Sequence, residues 1–180
     1  MRVAITALKF LVYGLELAGY SDDQIGRMNQ DVQVSNFSRF FGSYPYVIEK
    51  IWVDLQTTTT KAARLDEGYD DPIKFLMAHY FLKMYPRDRE MPAIFHLCRH
   101  TIREWTWYYI YKMQALKDEK IVWPEEWKGA ENELFFTVDG VHFWTREMPH
   151  PIEPFDAKYY SHKNKHAGLS YEIGLSLAER

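Results

Sequence analysis

Leu134-Phe-Phe-Thr-Val-Asp139-Gly140-Val-His142-Phe-Trp-Thr145 is the stretch on which the fold class turns. Upstream, to about Trp127, apolar residues recur at steps of three and four, the spacing of amphipathic helices. From Leu134 they gather into β-branched and aromatic runs, the composition of strands. Helices followed by strands, without alternation of the two, point to an α+β architecture. Asp139-Gly140 sits between two such runs and admits two readings. It suits a hairpin turn, and it equally suits a carboxylate carried on a rigid strand, exposed at its edge, as α/β nucleases present a metal ligand.

Further along, Pro149, Pro151 and Pro154 exclude a regular helix or a central strand over 148–154. Leu169-Ser-Tyr-Glu-Ile-Gly-Leu-Ser-Leu177 then alternates apolar with small or polar positions, as a half-buried strand does.

In the N-terminal part, Ala7, Leu8, Leu11, Val12 and Leu15 form one helical stripe, and Ser21-Asp-Asp23 marks a break. A helix capped by Ser35 and ended by Gly42 leads to a second helix opened by Pro45, with Phe40, Phe41, Val47, Ile51 and Leu55 facing a common core. Residues 56–71 are polar and read as a linker. Pro72–Met84 follows as a helix stopped at Tyr85-Pro86, then Met91–Leu97, a turn at Cys98–His100, and a long helix from a Thr101 cap through Leu116. Both helix pairs have helix-turn-helix spacing, a grammar that serves any packed helix pair as well.

Of the 180 residues 47% are hydrophobic and 26% charged, too apolar for a disordered chain. The single cysteine, Cys98, excludes an internal disulfide and any zinc site built on paired thiolates; it fits a reducing compartment such as the cytosol or the nucleus. No run of about 18 apolar residues occurs, so no membrane partner is expected. The apolar stretch Ala4–Ala18 is interrupted by Lys9 and Glu16 and reads as a folded helix rather than a secretory signal. A net charge of -3 excludes a chain-wide basic field for nucleic acid, so any such signal is local. It is found between Lys83 and Lys120, where basic residues outnumber acidic ones.

Arg99, His100 and Arg103 lie at the start of the long helix, the end that enters a DNA groove in a helix-turn-helix, and are the candidates for contact with double-stranded DNA. The cluster Trp105, Trp107, Tyr108, Tyr109 and Tyr111 offers a base-stacking platform or, for Trp105 and Tyr109 at helical spacing, core packing. His142, His150, His162 and His166 with Asp139 offer zinc ligands, although no common zinc spacing is met and His142 alternates to the face opposite Asp139 on a regular strand.

The run Phe136-Thr-Val-Asp-Gly-Val-His142, the proline-containing insertion and Tyr159-Tyr-Ser-His-Lys163 with its following strand resemble the start of the catalytic domain of DDE-superfamily transposases, particularly Harbinger-like ones. In that family a V-D-G-T/V-H strand carries the first catalytic aspartate, and a Y-S-x-K segment follows about twenty residues later. The resemblance implies an α+β chain with a helical DNA-binding region over 1–129 and the first strands of an RNase H-like fold over 130–180. It implies that Asp139 is a catalytic ligand for Mg2+ or Mn2+ in two-metal phosphodiester chemistry. Lys163 and Lys165 would meet the DNA backbone. The family needs a second Asp and a later Glu or Asp, whereas the chain ends 41 residues after Asp139; Glu172 is the carboxylate on the last strand. The expectation is therefore an early portion of a DDE enzyme, inactive alone, partnered by a second copy or a complementing C-terminal part. The alternative is a transposase-derived, non-catalytic DNA-binding or protein-interaction module. An unrelated helical protein with a β appendage also fits the residues.

Overall fold

The computed structural model describes residues 5–87, 89–122, 136–144, 160, 161, 163 and 166–176. The chain divides into two compact units, Met1–Val122 and Trp123–Arg180. The first is helical and the second carries a small antiparallel sheet, an α+β chain. Among the described residues no helix is long and apolar enough to cross a membrane.

The helical unit contains α1 (Ala7–Leu17), α2 (Asp22–Arg27), α3 (Gln30–Phe41), α4 (Pro45–Thr57), α5 (Pro72–Met84), α6 (Met91–Phe95), α7 (Arg99–Gln114) and α8 (Lys117–Lys120). Its centre is α5, where Phe75 to Tyr80 are buried without interruption. A helix apolar on every side has nowhere to go but inside, and α5 accordingly packs against α1, α3 and α7. Four rings from four helices meet there. Phe10 of α1 presents edges to Trp52 of α4 at 6.0 Å and Phe75 of α5 at 6.1 Å, and Tyr109 of α7 closes the group at 5.3 Å from Phe75 and 6.3 Å from Trp52.

Local chemistry sets the helix ends. The Ser21 hydroxyl accepts from the Gln24 amide while the Gln24 side chain accepts from the Ser21 amide, a capping box, so the expected break at 21–23 is the start of a short helix. Asn29, and not Ser35, caps α3, which starts earlier than the sequence suggests; Gly42 ends it in the left-handed region at φ 73°. Pro45 opens α4 as expected. The Asp71 carboxylate caps α5, and α7 begins at Arg99, two residues before the expected Thr101 cap.

Two stripes are rotated from their expected phase. Leu8 is 68% exposed, and the buried face of α1 is Phe10, Leu11, Gly14 and Leu15. On α4 the inward set is Ile48, Trp52 and Leu55 rather than Val47, Ile51 and Leu55. In each case the larger ring decides the phase, because Phe10 and Trp52 bury more area than the aliphatic residues beside them.

Residues 58–71 are not a linker. Ala63 and Leu65 are buried, and the Leu65 amide donates to the Leu55 carbonyl at 3.0 Å. The segment is strapped to α7: Lys112 Nζ donates to the Arg64 carbonyl at 2.7 Å and pairs with Asp66 at 3.0 Å. The Tyr108 hydroxyl accepts from the Asp66 amide and donates to its carboxylate. Tyr69 stacks on Tyr108 with ring centres 4.2 Å apart. Lys112 and the Tyr108 hydroxyl together hold the Asp66 carboxyl below its usual range.

In the second unit β1 (Phe136–Trp144), β2 (Tyr160–Ser161) and β3 (His166–Ser176) lie in the order β1-β3-β2. β1 and β3 pair antiparallel without a bulge from Phe136↔Ser176 to Trp144↔Gly168, and β2 pairs with the start of β3 through Tyr160↔Ala167 and Ser161↔His166. Asp139-Gly140 is therefore not a turn: the two β-rich runs are one strand, with Asp139 opposite Ile173 and Gly140 opposite Glu172.

Two outcomes follow for the helical unit. A Cβ built on Gly14 would lie 2.2 Å from the buried Phe37 ring and 2.8 Å from Phe41, so Gly14→Ala should destabilise the unit by about 2 kcal/mol in urea unfolding, overriding the better helix propensity of alanine. His79, buried against Phe75 with no partner for Nε2 among the described residues, is pushed by desolvation to about 4. Below pH 6.5 the unfolded chain takes up a proton that the folded chain refuses until about pH 4. Stability is therefore full above pH 6.5 and falls by about 3 kcal/mol as the pH drops to 4. Replacing His79 by Met should flatten that part of the pH–stability curve.

Candidate functional site

The start of α7 is placed by the turn before it. Phe95 of α6 is buried, His96 ends the helix with φ 52°, and the chain reverses through Leu97 and Cys98 into α7. The inward face of α7 is Ile102, Thr106 and Tyr109. That anchorage turns Arg99, His100 and Arg103 outward, and all three are exposed. Among the described residues neither arginine pairs with a carboxylate, and no acidic residue stands in the first turn of α7. Uncompensated positive charge and the positive end of the helix thus coincide. Cys98 caps the helix without a side-chain bond to its amides; its exposed thiol lies 3.1 Å from the Thr101 hydroxyl, whose hydrogen bond holds the thiol below its usual range.

The aromatic cluster on α7 divides by face. Tyr109 is core, and its hydroxyl donates to the carbonyls of Tyr69 and Asp71. Trp105 and Tyr108 are half-buried over the 58–71 segment, with Lys74 Nζ 3.8 Å above the Trp105 ring. Trp107 and Tyr111 instead face solvent, 43% and 61% exposed, with their rings 5.7 Å apart. Steps of four join Arg99, Arg103, Trp107 and Tyr111 into one outward stripe. The same spacing in the sequence carried this signal, but the five aromatics taken as a single cluster concealed it.

On the sheet, Asp139 is exposed in the middle of β1, and its Oδ1 accepts from the Gly140 amide at 2.8 Å. Directly opposed residues of an antiparallel pair share a face. Val141, Phe143, Leu169 and Tyr171 therefore lie on the face of Asp139, and Phe143 meets Tyr171 edge-on at 5.5 Å. Glu172, opposite Gly140, belongs to the other face, as does His142. Strand parity thus separates Asp139 from the carboxylate and the histidine nearest to it in register. His142 Nδ1 is 3.0 Å from the Ser170 hydroxyl, and a Cβ on Gly168 would fall 2.5 Å from His142 Nε2, so glycine is what lets that ring lie down on β3. His150, His162 and Lys165 lie outside the described residues.

Lys163 is exposed in the β2–β3 turn. Asp139 pairs with Ile173, seven positions along β3 from its first residue His166, so about 23 Å of strand separate it from the β2–β3 turn that holds Lys163. The sheet does not bring the two together. Among the described residues no group of three His, Cys, Asp or Glu converges to hold a metal ion. Asp139 supplies one carboxylate, short of the oxygen set that Mg2+ or Mn2+ takes in a two-metal site.

No protein-family model, curated protein or solved structure matches the chain.

Among the described residues the Asp139 side chain bonds only the Gly140 amide, so Asp139→Asn should unfold within about 0.5 kcal/mol of the parent chain in a thermal melt. The variant is thus a clean probe of chemistry rather than of folding.

Proposed function

We propose that this chain is a transposase-like DNA-binding protein whose helical unit engages double-stranded DNA and whose sheet is the beginning of an RNase H-like DDE catalytic domain. The observation that carries the reading is Asp139: an exposed carboxylate in mid-strand, in unbroken antiparallel register, rather than at a hairpin turn. A metal-ligand aspartate needs that placement, because a strand fixes its direction while the sheet surface leaves its oxygens open. The outward Arg99, His100 and Arg103 support the DNA-binding half of the reading, with α6 and α7 as a helix-turn-helix-like pair. Lys163, and Lys165 by its sequence position, would add backbone contacts elsewhere on the DNA. The nucleus, or the cytoplasm in a cell without one, is where such a protein works.

Divalent metal would supply charge neutralisation at a phosphodiester. Asp139 alone does not complete its site, since Glu172 stands on the opposite face. Catalysis therefore requires carboxylates from elsewhere, through a second copy or a complementing C-terminal part. The same parity favours the second reading, a transposase-derived module that binds DNA or protein without chemistry.

The test is an electrophoretic shift on duplex DNA across a salt series. Binding should weaken steeply with salt, and replacing Arg99 and Arg103 together by Gln should lower the slope of log affinity against log salt by about two. Absence of binding at low salt would sink both DNA readings. Mg2+- or Mn2+-dependent nicking lost in Asp139→Asn would establish catalysis by this chain and overturn the non-catalytic reading. No nicking by the parent would leave the chain as the binding part.

A further inference from the structure

Beneath the outward stripe of α7 lies a small pocket of about 30 Å3, lined among others by Arg99, Arg103, Thr106, Trp107, Phe81 and Met91. That space admits a group or two of water size. Thr106 is 2% exposed, and its hydroxyl has no hydrogen-bond partner among the described residues. A buried hydroxyl left unmatched costs free energy, so its presence in an otherwise apolar recess requires an explanation. Position supplies one. Arg99, Arg103 and Thr106 stand at i, i+4 and i+7, so the buried hydroxyl lies at the edge of the inward face of α7, next to the outward stripe that carries the two guanidinium groups. The exposed arginines stand at the mouth, and the apolar side chains of Phe81 and Met91 line the recess beside the Thr106 hydroxyl.

We infer that this pocket seats one phosphate group, an oxygen of which enters to accept from the Thr106 hydroxyl while Arg99 and Arg103 take the remaining oxygens at the rim. A tetrahedral anion offers oxygens to three donors at once. A planar carboxylate offers only two, and a neutral group leaves both arginines unmatched. Guanidinium forks suit phosphate better than point charges do. The inference deepens the DNA-binding reading by naming a seat for a phosphate on the helix proposed to meet DNA. It does not depend on that reading, because a terminal or free phosphate has the same chemistry.

The experiment is an amide-resolved NMR titration of the full chain with inorganic phosphate and, separately, with dimethyl phosphate, the smallest analogue of a backbone diester. Shifts should centre on residues 99–107. Thr106→Val should weaken binding about tenfold, the loss expected for one hydrogen bond to a charged group, while Thr106→Ser restores it. Arg103→Gln, a surface change that leaves the packed face of α7 untouched, should weaken it similarly and guards against misfolding of the Thr106 variants.

If dimethyl phosphate binds at these amides and Thr106→Val also weakens duplex binding, the phosphate is that of the nucleic-acid backbone. If inorganic phosphate alone binds there and the chain does not shift duplex DNA, the pocket stands and the DNA reading falls. If duplex binding is normal in Thr106→Val and neither phosphate moves residues 99–107, the pocket reading falls and the DNA reading stands. Equal phosphate affinity in the parent, Thr106→Val and Arg103→Gln would also overturn it.

Discussion

Everything in the helical unit hangs on the meeting of Phe10, Trp52, Phe75 and Tyr109, one ring from each of four helices that are distant in sequence. Edge-to-face packing fixes angle as well as distance, so each ring sets the rotation of its helix about its own axis. Tyr109 does so twice. Its ring enters the core, and its hydroxyl reaches the carbonyls of Tyr69 and Asp71, tying the 58–71 segment and the cap of α5 to the same residue. Burial pushes that hydroxyl above its ordinary range, which favours its protonated, hydrogen-bond-donating form.

The outward face of α7 follows from the inward one. Once Ile102, Thr106 and Tyr109 are committed to the core, helical geometry leaves Arg99, Arg103, Trp107 and Tyr111 in solvent. Arg99 and Arg103, the charges of the proposed DNA contact, are held in place by the packing of α7, and among the described residues no carboxylate pairs with either. A carboxylate opposite them would have stabilised the surface slightly and removed the function proposed for it.

Much of this was legible in the residues. The change from helical to extended pattern near Leu134, the stop at Gly42, the start at Pro45 and the α5 helix all rest on local rules, and local rules place them well. The phases of α1 and α4 were not legible, because stripes of aliphatic residues compete with stripes containing Phe10 or Trp52, and only tertiary packing decides between them. Residues 56–71 read as a linker by polarity, yet Ala63 and Leu65 are buried because α7 contributes Tyr108 and Lys112 to hold the segment. Those partners lie more than forty positions away. The mid-strand placement of Asp139 was one of two readings of Asp-Gly. A regular register over nine residues resolves it, since β3 offers an opposed residue at every position of β1.

The uninterrupted burial of Phe75 to Tyr80 also shapes how the molecule opens. An exposed helix can fray and bring its amides to water a few at a time, but in α5 any fraying from the exposed Ile73 or from Leu82 to Met84 stops at Phe75–Tyr80, where every side chain is buried. The amide hydrogens of that buried stretch should exchange with solvent only when the helical unit comes apart as a whole. The slowest-exchanging amides of that unit therefore report its global stability directly, and α5 is where to look for them.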